Sequence, residues 1–293
     1  MKGNKLLLRI ASSLVLTGCC IWWICKASEN LFLIVTLSIG ILATLEYGNA
    51  VRKRGIPLDL RVLLSLTGIF FFAIWLQRNG WEKWALFGVG SIVFLIAAAS
   101  IGSRFQTSRL IAWYSFPLFW ILCPVGSLNY FRFSAAIPAA PQLLLLLFMI
   151  VAFNDIFAYF GGRSFGRHLL APTISPQKTV EGAAFGVVGG FIGALLSPYL
   201  FDALSILFAM DPTNRQIAEL VTGWEIVAIV LTVVPASQLG DLAESKFKRY
   251  CGIKDSSSFI PGHGGLLDRG DAHLLAIPTY YCILFFVGIP SFL

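Results

Sequence analysis

The sequence predicts an all-α, polytopic integral membrane protein of about nine transmembrane helices. Three observations carry that expectation. Of 293 residues, 57% are hydrophobic and only 13% charged, against about 25% charged in soluble domains. Apolar runs of roughly 20 residues, the length that crosses the hydrocarbon core, recur along the whole chain. The polar interruptions between them are short, so no soluble domain is left over.

In order, the spans are expected near 6–25, 31–50, 62–77, 84–101, 110–125, 141–160, 183–203, 222–240 and 273–292. The first has the basic start and apolar middle of a signal peptide but lacks a small-x-small cleavage site, so it is read as a retained helix. The chain divides into 1–135, with about five helices joined by short basic loops, and 136–293, which carries the chemically rich loops. With a cytoplasmic amino terminus, most of the 22 Lys and Arg residues fall inside, at Lys2, Lys5, Arg9, Arg52 to Arg54, Arg61, Arg104, Arg109, Arg163, Arg167, Lys178 and the basic residues from Lys246 to Arg269. The positive-inside rule favours that orientation, which puts the carboxyl terminus outside a cytoplasmic (inner) membrane.

The net charge of +7 fits loop bias and contact with anionic membrane lipids, and nucleic acid is not expected as a partner. Six cysteines, without metal-ligand spacing, read as small buried hydrophobes. In the first half Glu46 is an intramembrane acid near a span end, and reads as an interfacial carboxylate close to Arg52 and Lys53. Trp22, Trp23, Trp75, Trp81 and Trp84 read as interface anchors. The segment Asn129 to Pro141 reads as a loop.

The second half changes character. Asp155 lies inside an apolar helix with Tyr159 at i+4, and a lone intramembrane Asp is a functional candidate or a helix–helix hydrogen bond. In the following loop Ser175, Pro176, Lys178 and Thr179 gather hydroxyls, amides and a cation. That group suits a phosphate or an ordinary solvated loop equally, and lacks the Gly framework of a nucleotide-binding P-loop. Glu181 precedes a span whose Gly186, Gly189, Gly190 and Gly193 form small-xxx-small pairs suited to close helix packing, within the chain or in a homodimer.

The most polar stretch is SQLGDLAESKFKRYCGIKDSSSFIPGHGGLLDRGDAH, Ser237 to His273. Asp241 and Glu244 close one span and Asp268 and Asp271 open the next, each pair one turn apart. Carboxylates drawn together repel unless a cation joins them, and hard divalent ions take oxygen ligands while bridging to phosphates. Asp241 and Asp268 are therefore the candidate ligands of Mg2+, alone or with a second cation. Lys246, Lys248, Arg249, Lys254 and Arg269 supply charge for a polyphosphate. In the turn Pro261 to Gly265, His263 is placed to orient a phosphate, to shuttle a proton or merely to turn the chain. Metal-assisted phosphoryl or nucleotidyl transfer at a membrane surface follows as the expected chemistry.

The run S-K-F-K-R-x4-K-D followed by P-G-H-G-G-L-L-D-R-x-D, Ser245 to Asp271, resembles the signature of phosphatidate cytidylyltransferases, or CDP-diacylglycerol synthases. So does D-x-x-A-Y followed by G-G-R-x-F-G-R-H-x-L-x-P-x-I-S-P-x-K-T-x-E-G. The resemblance covers roughly 140–290. It implies an enzyme joining CTP and phosphatidate into CDP-diacylglycerol and pyrophosphate. It implies catalytic roles for Asp241, Asp268, Asp271, Lys248, Arg249, His263 and Arg269, with Glu244 in support. Substrate contacts are implied for Asp155, Ser175, Lys178, Thr179, Glu181, Ser245 and Lys254. Gly270 and Ala272 depart from the family pattern, which usually has a bulky apolar residue and a Ser there, and Gly270 loosens the first turn of its helix. A CTP-dependent lipid kinase of the dolichol or phytol type is the nearest alternative. An ion-coupled transporter would instead gather its charges near mid-membrane.

Overall fold

Apolar runs with polar stops become long helices because a backbone in lipid must satisfy its own hydrogen bonds. The computed structural model describes residues 17–80, 107–133, 137, 139–208, 223–257, 259 and 264–287. After a helical stretch over 17–26 come α1 (Glu29–Lys53), α2 (Leu60–Arg78), α3 (Thr107–Pro117), a π-helical turn (Leu118–Leu122), α4 (Cys123–Phe133) and α5 (Ala140–Phe165). The strands β1 (Leu169–Ala171) and β2 (Ser175–Thr179) follow, then α6 (Val180–Leu207), α7 (Trp224–Cys251) and α8 (Leu267–Phe286). Helix starts use short polar caps: Asp59 Oδ1 accepts from Arg61 N at 2.8 Å, and Thr179 Oγ1 from Gly182 N at 3.1 Å.

Among the described residues six helical runs are long and apolar enough to cross a membrane: α1, α2, Arg109–Phe133, α5, α6 and α7. The expected spans at 84–101 and, for the most part, 6–25 fall outside the described residues, and α8 opens on the polar Asp268, Arg269 and Asp271, so a count of nine is not reached. Two expectations change. The supposed loop from Asn129 is still helix as far as Phe133. Asn129 is 2% exposed there because Thr36 Oγ1 accepts from its Nδ2 at 2.8 Å. The loop around Ser175 is an antiparallel hairpin pairing Leu169 with Thr179 and Ala171 with Ser175.

The chain separates into two compact units. The first holds the described parts of Ser28–Tyr130 and Phe247–Gly270. Its core includes Tyr47, whose ring stacks on Phe247 at 5.2 Å and whose hydroxyl donates to Trp113 O at 2.9 Å. Pro117, without an N–H to give the ladder, directly precedes the π turn.

The second unit holds the described parts of 17–27, Phe131–Lys246 and 271–287. Here α5 and α6 pack along most of their length, and glycine allows it. A Cβ on Gly189 would meet Phe157 Cβ at 2.6 Å, and one on Gly190 would meet Val234 Cγ2 at 2.5 Å. Gly186, Gly189, Gly190 and Gly193 are all buried against this chain's own helices. Between them runs a polar seam: Asn154 Nδ2 donates to Ser237 Oγ at 3.2 Å, and Gln238 Nε2 donates to Asn154 Oδ1 at 2.8 Å and to Ala183 O at 3.1 Å.

Candidate active site

Each unit builds one lysine–carboxylate pair, and both use residues singled out by the motifs. In the second unit, β2 presents Lys178 to Asp241 on α7, where the two form an ion pair. Ser245, one turn along α7, donates to Asp241 Oδ1 at 3.5 Å. Asp155 on α5 accepts from Asn154 Nδ2 at 2.9 Å and lies close enough for the charges of Asp241 and Lys178 to act on it. The polar seam below thus orients an acid, and two carboxylates share one ammonium.

The hairpin that delivers Lys178 is itself pinned. Glu181, in the first turn of α6, accepts from Arg167 N at 3.0 Å and from His168 N, and its Oε1 is 2.6 Å from His168 Nδ1. Thr179 caps the same helix. Glu181 and Thr179 therefore fix the ends of the hairpin, while Ser175 pairs within it opposite Ala171.

In the first unit, Lys248 Nζ donates to Asp268 Oδ1 at 2.7 Å, with the side chains 13% and 11% exposed. Asp268 sits in the first turn of α8 and also accepts from Ser256 N at 3.0 Å, Ser256 Oγ at 3.0 Å and Gly265 N at 2.8 Å. Burial works against its charge, but Lys248 and these amides outweigh it and hold the carboxyl below the usual range. Around this centre lies a residue the sequence placed elsewhere. Glu46 is no interfacial acid: it is 7% exposed and accepts from Ser257 Oγ at 2.6 Å and from Ser256 Oγ, Leu266 N and Leu267 N, each at 2.9 Å. One α1 carboxylate thus fastens both ends of the loop that carries Asp268 and satisfies the amides at the start of α8. Gly265 must stay small, since a Cβ would meet Glu46 Oε2 at 2.6 Å.

The remaining candidates are more open. Arg249 and Lys254 are exposed. Arg269 is exposed in the first turn of α8, and Asp271 accepts from Ala272 N at 2.8 Å. Glu244 is fully buried, and His263 lies outside the described residues.

Among the described residues no three His, Cys, Asp or Glu side chains gather to hold a metal ion unaided. Mg2+ commonly takes one or two carboxylates and completes its shell with water and substrate phosphates. The hard-oxygen set of Asp241 with Asp155 beside it fits that habit.

A membrane-embedded site of carboxylates, lysines and arginines defines a class, enzymes that act on phosphates at a bilayer surface. Residues 7–287 match the cytidylyltransferase family. The chain belongs to that family and is a nucleotidyltransferase. A phosphatidate cytidylyltransferase of Haemophilus influenzae is 32% identical over 302 aligned positions, covering 95% of this chain and 98% of its own. Phosphatidate cytidylyltransferases of Staphylococcus haemolyticus and Staphylococcus saprophyticus are 39% and 40% identical over 141 positions, 48% of this chain and 48% of each of theirs.

Proposed function

We propose that this protein is a phosphatidate cytidylyltransferase, making CDP-diacylglycerol and pyrophosphate from CTP and phosphatidate for phospholipid synthesis. The observation that carries this reading is the assembly of the motif residues into two lysine–carboxylate centres within a chain so similar to the Haemophilus enzyme.

In this reaction an oxygen of the lipid phosphomonoester bonds to the α-phosphorus of CTP as that phosphorus releases the bridging oxygen to pyrophosphate. The nucleophile is already anionic, so no strong base is needed. The protein's work is to hold two anions together and to meet the charge growing on the leaving group. Lys178, Lys248, Arg249, Lys254 and Arg269 supply that positive charge. Ser175, Thr179, Glu181 and Ser245 shape the phosphate side, and Asp155 and Asp271 orient it. His263 serves the turn before α8. Mg2+, held by Asp241 and Asp268, would supply charge neutralisation on the phosphates. Each of these carboxylates is already matched by a lysine, so cation binding exchanges an ammonium for the metal.

The purified protein incubated with CTP, phosphatidate and Mg2+ should give CDP-diacylglycerol and pyrophosphate in equal amounts by mass analysis. A phosphorylated lipid alcohol with CDP released would move it to the lipid kinases.

The proposed setting is the cytoplasmic (inner) membrane, with the amino terminus and site loops cytoplasmic and the carboxyl terminus outside. A thiol placed at exposed Lys53 should then react with an impermeant reagent only in inverted vesicles; reaction in right-side-out vesicles would reverse the orientation. A homodimer is also proposed, and it would use a face other than the glycines of α6, which are already buried. A monomeric mass in detergent solution would remove it.

A further inference from the structure

The first unit contains a second basic cleft that shares no residue with either lysine–carboxylate pair. Its volume is about 640 Å³, and Arg54, Ile56, Arg109, Ala112, Trp113 and Tyr250 line it. The Arg54 guanidinium lies over the Tyr250 ring, 5.0 Å from its centre, and that ring stacks on Trp113 at 5.8 Å. Arg109 joins from α3, one turn before Ala112 and Trp113 on the same face. Gly55 follows Arg54 with φ 86° and puts no side chain in the mouth.

No acid lines this cleft, and among the described residues neither arginine has an acidic partner. Two guanidinium groups facing one hollow repel each other until an anion joins them. The planar fork of Arg grips phosphate oxygens in pairs, and a guanidinium already laid on an aromatic ring loses little freedom on doing so. The continuation of α3 shows what the anion is attached to. Along the same side of the helix, Phe116 and Phe119 are 43% and 75% exposed. Charge at one end and an open apolar track beyond suit an amphiphile, and the Trp113–Tyr250 pair is of the kind that settles at headgroup depth.

We propose that this cleft binds the headgroup phosphate of an anionic phospholipid, with Arg54 and Arg109 on the phosphate and an acyl chain along Phe116 and Phe119. The site is separate from the proposed transfer reaction.

The test uses the full chain, stripped of lipid in detergent and mixed with phosphatidylglycerol, phosphatidylcholine or inorganic phosphate, with bound species counted by native mass spectrometry. Phosphatidylglycerol lacks a phosphomonoester, so its retention does not depend on turnover. The intact protein should keep phosphatidylglycerol in preference to phosphatidylcholine. The double change Arg54→Gln with Arg109→Gln should weaken that retention roughly tenfold, the scale of losing one charge-assisted contact. Arg54→Lys with Arg109→Lys should fall between the two. Both arginines are exposed, so an unchanged melting temperature will show that the variants are folded. Equal retention of the two lipids, or full retention by the Gln variant, overturns the site. Displacement of the lipid by millimolar inorganic phosphate would make the ligand a free phosphate and overturn the lipid assignment.

Discussion

Lys248 and Asp268 meet inside a shell of backbone amides with side chains 13% and 11% exposed, whereas Lys178 and Asp241 meet at 26% and 31% exposure with only Ser245 in addition. The chemistry of the two pairs is the same and their construction is not. Asp268 is gripped by Ser256, Gly265 and, through Glu46, by the whole loop that precedes α8, so its orientation is set before any ligand arrives. Asp241 is held by side chains alone and can change partners without disturbing a loop. One centre is a fixed reference point and the other an exchangeable contact. Preorganised charge costs no rearrangement during reaction, but its removal should also damage the fold.

The largest expected effect follows from that difference. Asp268→Asn leaves Lys248 buried beside a neutral amide and turns an NH2 group toward donors. Breaking such a pair costs on the order of 3–5 kcal/mol, and loss of the charge should lower turnover roughly 10²–10³-fold. Thermal unfolding and product assay should both register the change. Asp241→Asn should lower turnover on the same scale of about 10²–10³-fold, yet leave the melting temperature close to that of the parent. If the two variants lose equal stability, the contrast between a fixed and an exchangeable centre is wrong.

Much of this was legible in the sequence because it was local. The acids of Asp241 and Asp268 stand at helix ends beside basic residues, and the motif spacing carried Lys178, Ser245 and Lys248. Glu46 was not legible, because its partner Ser256 lies 210 positions away and no spacing rule spans that gap. All that showed was an acid in an apolar run near Arg52 and Lys53, which fits an interfacial position equally well. Asn129 failed in the same manner. Hydropathy marks it as a loop residue, while Thr36, 93 positions earlier, makes it a buried helix residue. The hairpin of Ser175 escaped because strands of three and five residues are too short to show an alternating pattern.

A medium effect should come from Glu46→Gln, which touches one centre only. Gln keeps a single acceptor oxygen where Glu46 offered two to four donors, so some buried donors of Ser256, Ser257, Leu266 and Leu267 lose their partner. The expected cost is about 1–3 kcal/mol. Amide hydrogen exchange gives the local reading: the amides of Leu266 and Leu267 should exchange faster, while those of the hairpin 169–179 keep their rate. Faster exchange in the hairpin as well would mean that Glu46 supports the fold in general and not the Asp268 loop in particular.

The smallest effect bears on the departure from the family pattern at Gly270. This glycine is helical, and a Cβ built on it meets nothing within 4 Å. Neither a close approach nor a positive φ requires it, in contrast to Gly265 three turns of argument closer to Glu46, where a Cβ has no room. Gly270→Ala should therefore stabilise the first turn of α8 by roughly 0.5–1 kcal/mol, through the lower freedom of the unfolded chain and the better helix propensity of Ala. A small rise in melting temperature with unchanged turnover would mean that the turn joining Arg269 to Asp271 works as a rigid mount, like the Asp268 centre it follows. A rise in melting temperature with a loss of turnover would mean that Asp271 needs the looseness that glycine gives, and would place it with Asp241 among the contacts that change partners.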